Sequence, residues 1–121
     1  MANIKVLIVD DEESIVALLV RILSKDQIFE AATASRGYQA IALASQKKFD
    51  AIICDIDLPD IDGPGIIQEM KTKNICPPFV MFISGAVKSA PRNMSGNMVF
   101  VRKPFNPSEI ISALIRFAPR S

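Results

Sequence analysis

The sequence contains no histidine among its 121 residues. This absence excludes histidine metal sites, Ser-His and Cys-His catalysis, and a phosphohistidine carried by the chain itself. Cysteine is scarce as well, because Cys54 and Cys76 are the two that occur, and their separation fits no metal-binding spacing. We therefore expect both thiols to be reduced, in a cytoplasmic protein.

Strong charge of either sign and long hydrophobic runs are also missing. The net charge is +1, and the longest apolar runs are well short of a membrane span. We therefore expect no membrane partner and no direct binding of nucleic acid by this domain. The first residues lead directly into an apolar run, which predicts that there is no signal peptide. The length predicts one domain covering residues 1–121.

Short apolar runs predict the strands of a parallel sheet. The central strand is predicted at Ala51–Asp55, where four consecutive apolar residues without alternation indicate burial on both faces. The other predicted strands are Ile4–Val9, Ile28–Ala34, Phe79–Ile83 and Met98–Val101.

Apolar residues at helical spacing, together with capping signals, predict helices between these strands. Glu12 and Glu13 suit the start of the first helix, because acids there complement the helix dipole. The predicted helices are Ser14–Leu23, a second from the cap Ser35 to the region of Lys47 and Lys48, a third from Pro64 through Lys73, and a last one from the capping pattern Asn106–Glu109 to Pro119.

Strand and helix thus alternate along the chain, which predicts an α/β fold with a doubly wound, five-stranded parallel sheet and about five helices. Residues 85–97 depart from this regularity. A crossover between parallel strands must exist there, yet the segment has no helical period and contains Pro91 and Gly96. We expect the fourth helix to be short or irregular.

Polar side chains stand where the predicted strands end: Asp10, Asp11, Asp55, Ser84 and Lys103. Ligands gather beyond the carboxyl ends of the strands in open α/β sheets, so we expect these side chains to converge. Three nearby carboxylates repel one another and require a compensating cation, either Lys103 or a metal. Ligation by oxygen alone suits Mg²⁺. An aspartate nucleophile, Mg²⁺, a lysine and a hydroxyl are the parts needed for phosphoryl transfer to a carboxylate.

Over essentially its whole length, the sequence resembles the response-regulator receiver domains of bacterial two-component signalling. The matching motifs are Val9–Glu12, Asp55–Gly63, Ser84-Gly85 and Lys103–Phe105. The resemblance implies a flavodoxin-like fold with strand order 2-1-3-4-5. It also implies a phosphorylation-dependent signalling switch that turns over no external substrate. The implied partners are a sensor histidine kinase or a phosphotransfer protein, and a downstream effector that the sequence does not identify.

The resemblance further implies a phospho-acceptor and a metal site. Asp55 would accept the phosphoryl group and contribute to the metal site. Asp11 would ligate Mg²⁺, or Mn²⁺ in its place, directly, and Asp10 would do so through water. The backbone carbonyl of Asp57 would complete the ligands from the protein.

The remaining implied roles concern the switch. Lys103 would pair with the phosphoryl group, and its bond to Pro104 would be cis, as the energetics of X-Pro bonds permit. Ser84 would be the switch hydroxyl that turns toward the phosphoryl group. Phe100, three residues before the lysine, would be the aromatic switch residue that moves from an exposed to a buried position.

Two features depart from typical members of this family. Position 57 varies widely in the family and tunes the phosphoryl lifetime. In this sequence it is an aspartate. Its carboxylate could orient or repel the attacking water, bind a second cation, or be a solvated charge in the loop. The irregular segment 85–97 lies in a region that forms part of the family's signalling face, so partner binding need not follow that of typical members.

Two other functions stay open at this stage. One is a phospho-independent pseudo-receiver that only docks to a partner. The other is a phosphatase resembling haloacid dehalogenases, because Asp55-Ile56-Asp57 has their Asp-x-Asp pattern. That family needs Thr or Val where this sequence has Pro59, and it places the motif on its first strand. The sequence also leaves open whether the chain is a stand-alone receiver or a fragment of a larger regulator or hybrid kinase.

Overall fold

The structure, a computed structural model, describes residues 4–85 and 97–119. Its strands are β1 (Ile4–Val9), β2 (Phe29–Ala34), β3 (Ala51–Asp55), β4 (Phe79–Ser84) and β5 (Met98–Arg102), and its helices are α1 (Glu13–Ser24), α2 (Gly37–Gln46), α3 (Gly63–Thr72) and α4 (Pro107–Phe117). The strands form one sheet in the order β2-β1-β3-β4-β5, and every neighbouring pair is parallel. The predicted doubly wound sheet and its strand order are therefore confirmed. The predicted short or irregular fourth helix lies, apart from the two end residues of segment 85–97, outside the described residues.

The centre of the sheet is buried on both faces, as the unbroken apolar runs predict. All residues of β3 and β4 are buried. Neighbouring residues of β3 point to opposite faces, because the side chains of a strand alternate. Ile53 joins the core cluster that contains residues of α1 and α4, whereas Ile52 joins the cluster that contains residues of α2 and α3. In the part of the chain that the structure describes, two helices thus cover each face of the sheet.

The start of α2 corrects one prediction, since Ser35 does not cap this helix. The residue before the helix is Arg36, whose side chain makes no capping hydrogen bond. Instead, the backbone N–H groups of Gly37 and Tyr38 donate to the two carboxylate oxygens of Asp60 at 3.0 and 3.1 Å. A Cβ at position 37 would overlap the Cγ2 atom of Ile61, so glycine is required for this close approach. The loop after β3 is therefore attached to α2.

The other helix starts use the caps nearby in sequence. The Asp62 side chain accepts a 2.8 Å hydrogen bond from the N–H of Gly65 at the start of α3. Asn106 and Glu109 form the predicted capping box of α4: the Asn106 side chain accepts from the Ser108 N–H at 3.0 Å, and the Glu109 side chain accepts from the Asn106 N–H at 3.1 Å. In residues 4–85 and 97–119, no helix is both long enough and apolar enough to span a bilayer.

Candidate functional site

The carboxyl edge of the sheet presents the predicted site residues together. Asp55 is the last residue of β3, and Ser84 is the last residue of β4. Asp10 directly follows β1, and Lys103 directly follows β5. Because these four strands are parallel and adjacent, their ends lie at the same edge. Distant parts of the chain thereby contribute to one site.

Three carboxylates converge at this edge. One oxygen each from Asp10, Asp11 and Asp55 lies within 4.8 Å of the other two. Asp10 and Asp55 are only 1% and 4% exposed, whereas Asp11 is exposed. The predicted convergence of the carboxylates is confirmed. Two buried anions and one exposed anion, all with oxygen ligands, fit a divalent cation such as Mg²⁺ that also keeps water ligands.

Burial disfavours the ionised forms of the two buried acids, Asp55 and Asp10, and nearby negative charges add to this effect. Burial, followed by the negative charge of Asp10, raises the pKa of Asp55 to about 6 from its ordinary value of 3.8. Burial also raises the pKa of Asp10, although the Glu12 N–H and Lys103 act in the opposite direction. The site therefore keeps its carboxylates ionised at a cost in stability that a bound divalent cation would offset.

Lys103 provides a cation from the protein itself. Its Nζ atom lies 3.2 Å from Asp10 Oδ2, 3.4 Å from Glu12 Oε1 and 3.9 Å from Asp55 Oδ2. Burial acts to lower the pKa of Lys103, but the surrounding carboxylates outweigh it and raise the pKa above its ordinary value. The pair with Glu12 was not predicted, and it contributes little because the Glu12 side chain is 59% exposed.

The backbone around Lys103 fixes its approach to the site. The bond between Lys103 and Pro104 is cis, as the resemblance implied. The Lys103 N–H donates a 2.9 Å hydrogen bond to the carbonyl of Ser84. The loop after β5 is thus attached to the end of β4, next to the acidic residues.

The loop after β3 touches both the acceptor carboxylate and the predicted switch hydroxyl. The N–H of Asp57 donates to Asp55 Oδ1 at 3.3 Å. The Ser84 hydroxyl, which is fully buried, donates to Asp57 Oδ2 at 3.0 Å. This side-chain contact of Asp57 was not predicted. The sequence signal for it is an acid two residues after Asp55, in a loop that leaves β3 beside the end of β4.

Glycine at position 63 determines how closely α3 approaches this loop. A Cβ there would lie 3.0 Å from the carbonyl oxygen of Asp55 and 3.0 Å from the Cα of Ile56. The Gly63 N–H also donates a 2.8 Å hydrogen bond to the carbonyl of Ile56. The glycine that ends the acidic motif therefore allows the loop to fold back on the end of β3.

Phe100 lies in β5, beside the site and not in it. It is half-buried, stands opposite Phe82 in the pairing of β4 with β5, and packs against the core cluster on the α2 and α3 face. Its predicted role as a switch residue stays a prediction, as do the roles assigned to the other site residues.

Comparisons with known proteins agree with this geometry. The family model of the response regulator receiver domain matches residues 6–115. The protein named "Probable transcriptional regulator ycf27" from Guillardia theta is 38% identical over 116 residues, covering 93% of this chain and 45% of its own length. The alkaline phosphatase synthesis transcriptional regulatory protein PhoP of Bacillus subtilis is 32% identical over 120 residues, covering 94% of this chain and 49% of its own length.

A solved structure shows the same fold. The chemotaxis protein CheY4 from Vibrio cholerae superposes with a TM-score of 0.80 at 26% identity, covering 96% of this chain and 99% of that one. The chain spans less than half the length of the two curated relatives but nearly all of this structure.

Proposed function

The chain belongs to the family of response regulator receiver domains, and from this membership we propose that it is a phosphorylation-controlled switch with Asp55 as its phospho-acceptor. The observation that carries the proposal is the position of the Asp55 carboxylate, which ends β3, lies close to the carboxylates of Asp10 and Asp11, and is 3.9 Å from the ammonium of Lys103. The proposed donor is a phosphohistidine on a sensor histidine kinase or a phosphotransfer protein.

In the proposed reaction, a carboxylate oxygen of Asp55 attacks the phosphorus of the phosphohistidine. The P–N bond breaks and its electron pair stays on the imidazole nitrogen, while the new P–O bond forms an acyl phosphate. No general base is needed, because a carboxyl group with a pKa of about 6 is mostly ionised at neutral pH. Lys103 would neutralise negative charge on the incoming phosphoryl group.

The acidic residues would hold a divalent cation during this reaction. We assign Asp10, Asp11, Asp55 and the backbone carbonyl of Asp57 to Mg²⁺, or to Mn²⁺ in its place. The three converging carboxylate oxygens support this assignment. When bound, such an ion neutralises charge on phosphoryl oxygens and helps to orient them.

The proposed readout is a local rearrangement. After phosphorylation, the Ser84 hydroxyl would turn toward the phosphoryl group, and Phe100 would move inward from its half-buried position. The packing of Phe100 against the neighbouring core cluster supports this, because the ring already lies at the border of that cluster. A downstream effector would recognise the changed surface.

Further parts of the proposal concern the setting of the domain. We infer that residues 1–121 form a single receiver domain that acts in the cytoplasm and turns over no external substrate. We also infer that the domain binds neither membranes nor nucleic acid directly, consistent with its net charge of +1.

The test is incubation with Mg²⁺ and acetyl phosphate, followed by intact-mass measurement. We expect one added phosphoryl group on the wild type and none on Asp55→Asn. The matched control is Asp26→Asn, which makes the same chemical change in the connection after α1 and should be phosphorylated like the wild type. If several acyl phosphate donors give no adduct, the domain is a docking module that does not depend on phosphorylation.

A further inference from the structure

One side-chain hydrogen bond connects the loop after β3 to the end of β4. The Ser84 hydroxyl donates to Asp57 Oδ2 at 3.0 Å. Ser84 is completely buried, whereas Asp57 is exposed. The N–H of the same aspartate donates to Asp55 Oδ1 at 3.3 Å. Asp57 thus contacts the acceptor carboxylate through its backbone and the hydroxyl through its side chain.

We propose that Asp57 is a positioning residue that holds the Ser84 hydroxyl on its own carboxylate and thereby opposes the switched state. The consequence for signalling rests on the proposed function of Asp55 as phospho-acceptor. The position of the hydroxyl in the unphosphorylated protein does not rest on that function, because it follows from the hydrogen bond itself.

The strength of this restraint comes from the charge of the acceptor. A hydroxyl that donates to a carboxylate makes a stronger hydrogen bond than one that donates to a neutral oxygen. Ser84 must give up this bond before its hydroxyl can donate to a phosphoryl group on Asp55. The hydrogen bond therefore favours the unswitched conformation.

The backbone of Ser84 limits how the release can occur. Ser84 pairs with Arg102 in the sheet, and its carbonyl accepts a 2.9 Å hydrogen bond from the N–H of Lys103. These contacts fix the end of β4, so the hydroxyl is released by rotation about the Cα–Cβ bond and not by a shift of the strand.

The first test needs no phosphorylation. Three-bond NMR couplings report the χ1 rotamer of Ser84 in the wild type, in Asp57→Ala and in Asp57→Asn. We expect one rotamer in the wild type, averaging over rotamers in Asp57→Ala, and a partial return to one rotamer in Asp57→Asn, which keeps an acceptor oxygen. A single unchanged rotamer in Asp57→Ala would overturn the proposal.

Glu13→Ala is the matched control for charge. It removes one negative charge from the start of α1, next to the acidic cluster, and leaves the hydrogen bond between Ser84 and Asp57 in place. Ser84 should keep its wild-type rotamer in this variant. Averaging in Glu13→Ala as well would show that loss of charge alone releases the hydroxyl, and would contradict a specific role of Asp57.

The second test measures switching with beryllofluoride and Mg²⁺, a stable substitute for the phosphoryl group. The ratio of switched to unswitched protein is read from the NMR signals of the Phe100 ring. We expect Asp57→Ala to raise this ratio roughly tenfold, the effect of about one charge-assisted hydrogen bond. In a Ser84→Ala background the same substitution should change the ratio by less than about twofold, because the restrained group is gone.

The outcomes separate this inference from the proposed function. Equal effects of Asp57→Ala in both backgrounds would show that the aspartate acts through its charge alone, which overturns the inference. A wild type that binds beryllofluoride but switches just as Asp57→Ala does would also overturn it, and would leave the role of Asp55 intact. A wild type that takes neither beryllofluoride nor a phosphoryl group contradicts the proposed function, and the rotamer measurement then decides about Asp57.

Discussion

The ammonium nitrogen of Lys103 lies 3.2 Å from Asp10 Oδ2, although the two residues are 93 positions apart in the sequence. The Lys103 side chain is 16% exposed, and that of Asp10 is fully buried. The same nitrogen lies 3.9 Å from Asp55 Oδ2, so a single cation serves two buried carboxylates. One positive charge does not balance both anions, which leaves the site suited to a divalent cation.

The first prediction concerns this pair of residues. The substitution Lys103→Met keeps an unbranched side chain of similar length but removes the ammonium group, so the buried carboxylates lose their compensating positive charge. In EDTA we expect the free energy of unfolding to fall by roughly 1 to 3 kcal/mol, less than the roughly 3 to 5 kcal/mol for breaking a fully buried pair, because the lysine is partly solvated. Urea denaturation measures this loss, and Mg²⁺ should restore part of it.

The control for Lys103→Met is Lys73→Met, which breaks an exposed ion pair with Glu69 of 3.9 Å. The free energy of unfolding of Lys73→Met should fall by less than roughly 1 kcal/mol, because exposed ion pairs contribute little. Equal losses in the two variants would contradict the role of Lys103 as the compensating cation.

The second prediction concerns the metal ligands. At about a hundredfold excess over its dissociation constant, Mg²⁺ should stabilise the wild type by roughly 2 to 3 kcal/mol through mass action. Asp11→Ala should abolish this gain, because the substitution removes one of the three converging carboxylates that we assign to the ion. Glu13→Ala, a loss of charge in the first turn of α1, should retain it. Thermal denaturation with and without Mg²⁺ measures both, and a full response in Asp11→Ala would show that the ligand assignment is wrong.

The third prediction is a dependence of stability on pH in the absence of divalent ions. The pKa of Asp55 is about 6 in the folded protein and 3.8 ordinarily, so the folded state binds more protons between these values. The free energy of unfolding therefore falls as pH rises from about 4 to about 6, and the loss is complete above that window. Its size is roughly 2 to 3 kcal/mol.

Asp55→Asn is the variant that tests this dependence. It removes the ionisable group, so its stability relative to the wild type should increase as pH rises from about 4 to about 7. Urea denaturation in EDTA across this range gives the comparison. The pKa of Asp10 is raised as well, so both proteins lose some stability over this range, and the difference between them reports Asp55 together with its coupling to Asp10. Stability curves that stay parallel throughout would contradict the raised pKa of Asp55.

The fourth prediction concerns Gly63. A Cβ at this position meets the backbone of Asp55 and Ile56 at 3.0 Å, and backbone atoms cannot move aside as a flexible side chain can. We expect Gly63→Ala to destabilise the protein by roughly 1 to 3 kcal/mol, the usual range for overpacking. In Gly85→Ala the added Cβ meets no atom of residues 4–85 and 97–119 within 4 Å, so that variant should unfold nearly like the wild type. Similar denaturation midpoints for both variants would contradict the close packing at Gly63.

The sheet could be predicted from the sequence because its strands are signalled locally. The apolar runs Val6–Val9 and Ala51–Cys54 lie within β1 and β3, since a strand covered on both faces needs apolar residues at its central positions. The acids and the lysine at the strand ends could be placed together for the same reason, because parallel neighbours end at the same edge.

The contacts that were not predicted join segments far apart in the sequence. Asp60 caps α2, although it is 23 and 22 positions away in the sequence from the Gly37 and Tyr38 N–H groups that it accepts from, and it takes the place of the expected local cap Ser35. The hydrogen bond from Ser84 to Asp57 spans 27 residues and depends on the path of an irregular loop. Neither contact follows from periodicity or capping patterns, because both are set by how a loop packs against a neighbouring element.

The most direct measurement of the central claim identifies the residue that carries the phosphoryl group. The protein is incubated with Mg²⁺ and acetyl phosphate and then reduced with sodium borohydride, which converts a phosphorylated aspartate to homoserine. Peptide mass spectrometry locates the converted residue. Our account predicts conversion at Asp55 and at none of Asp10, Asp11 or Asp57, whereas conversion at one of those three, or no conversion after varied donors, would contradict it.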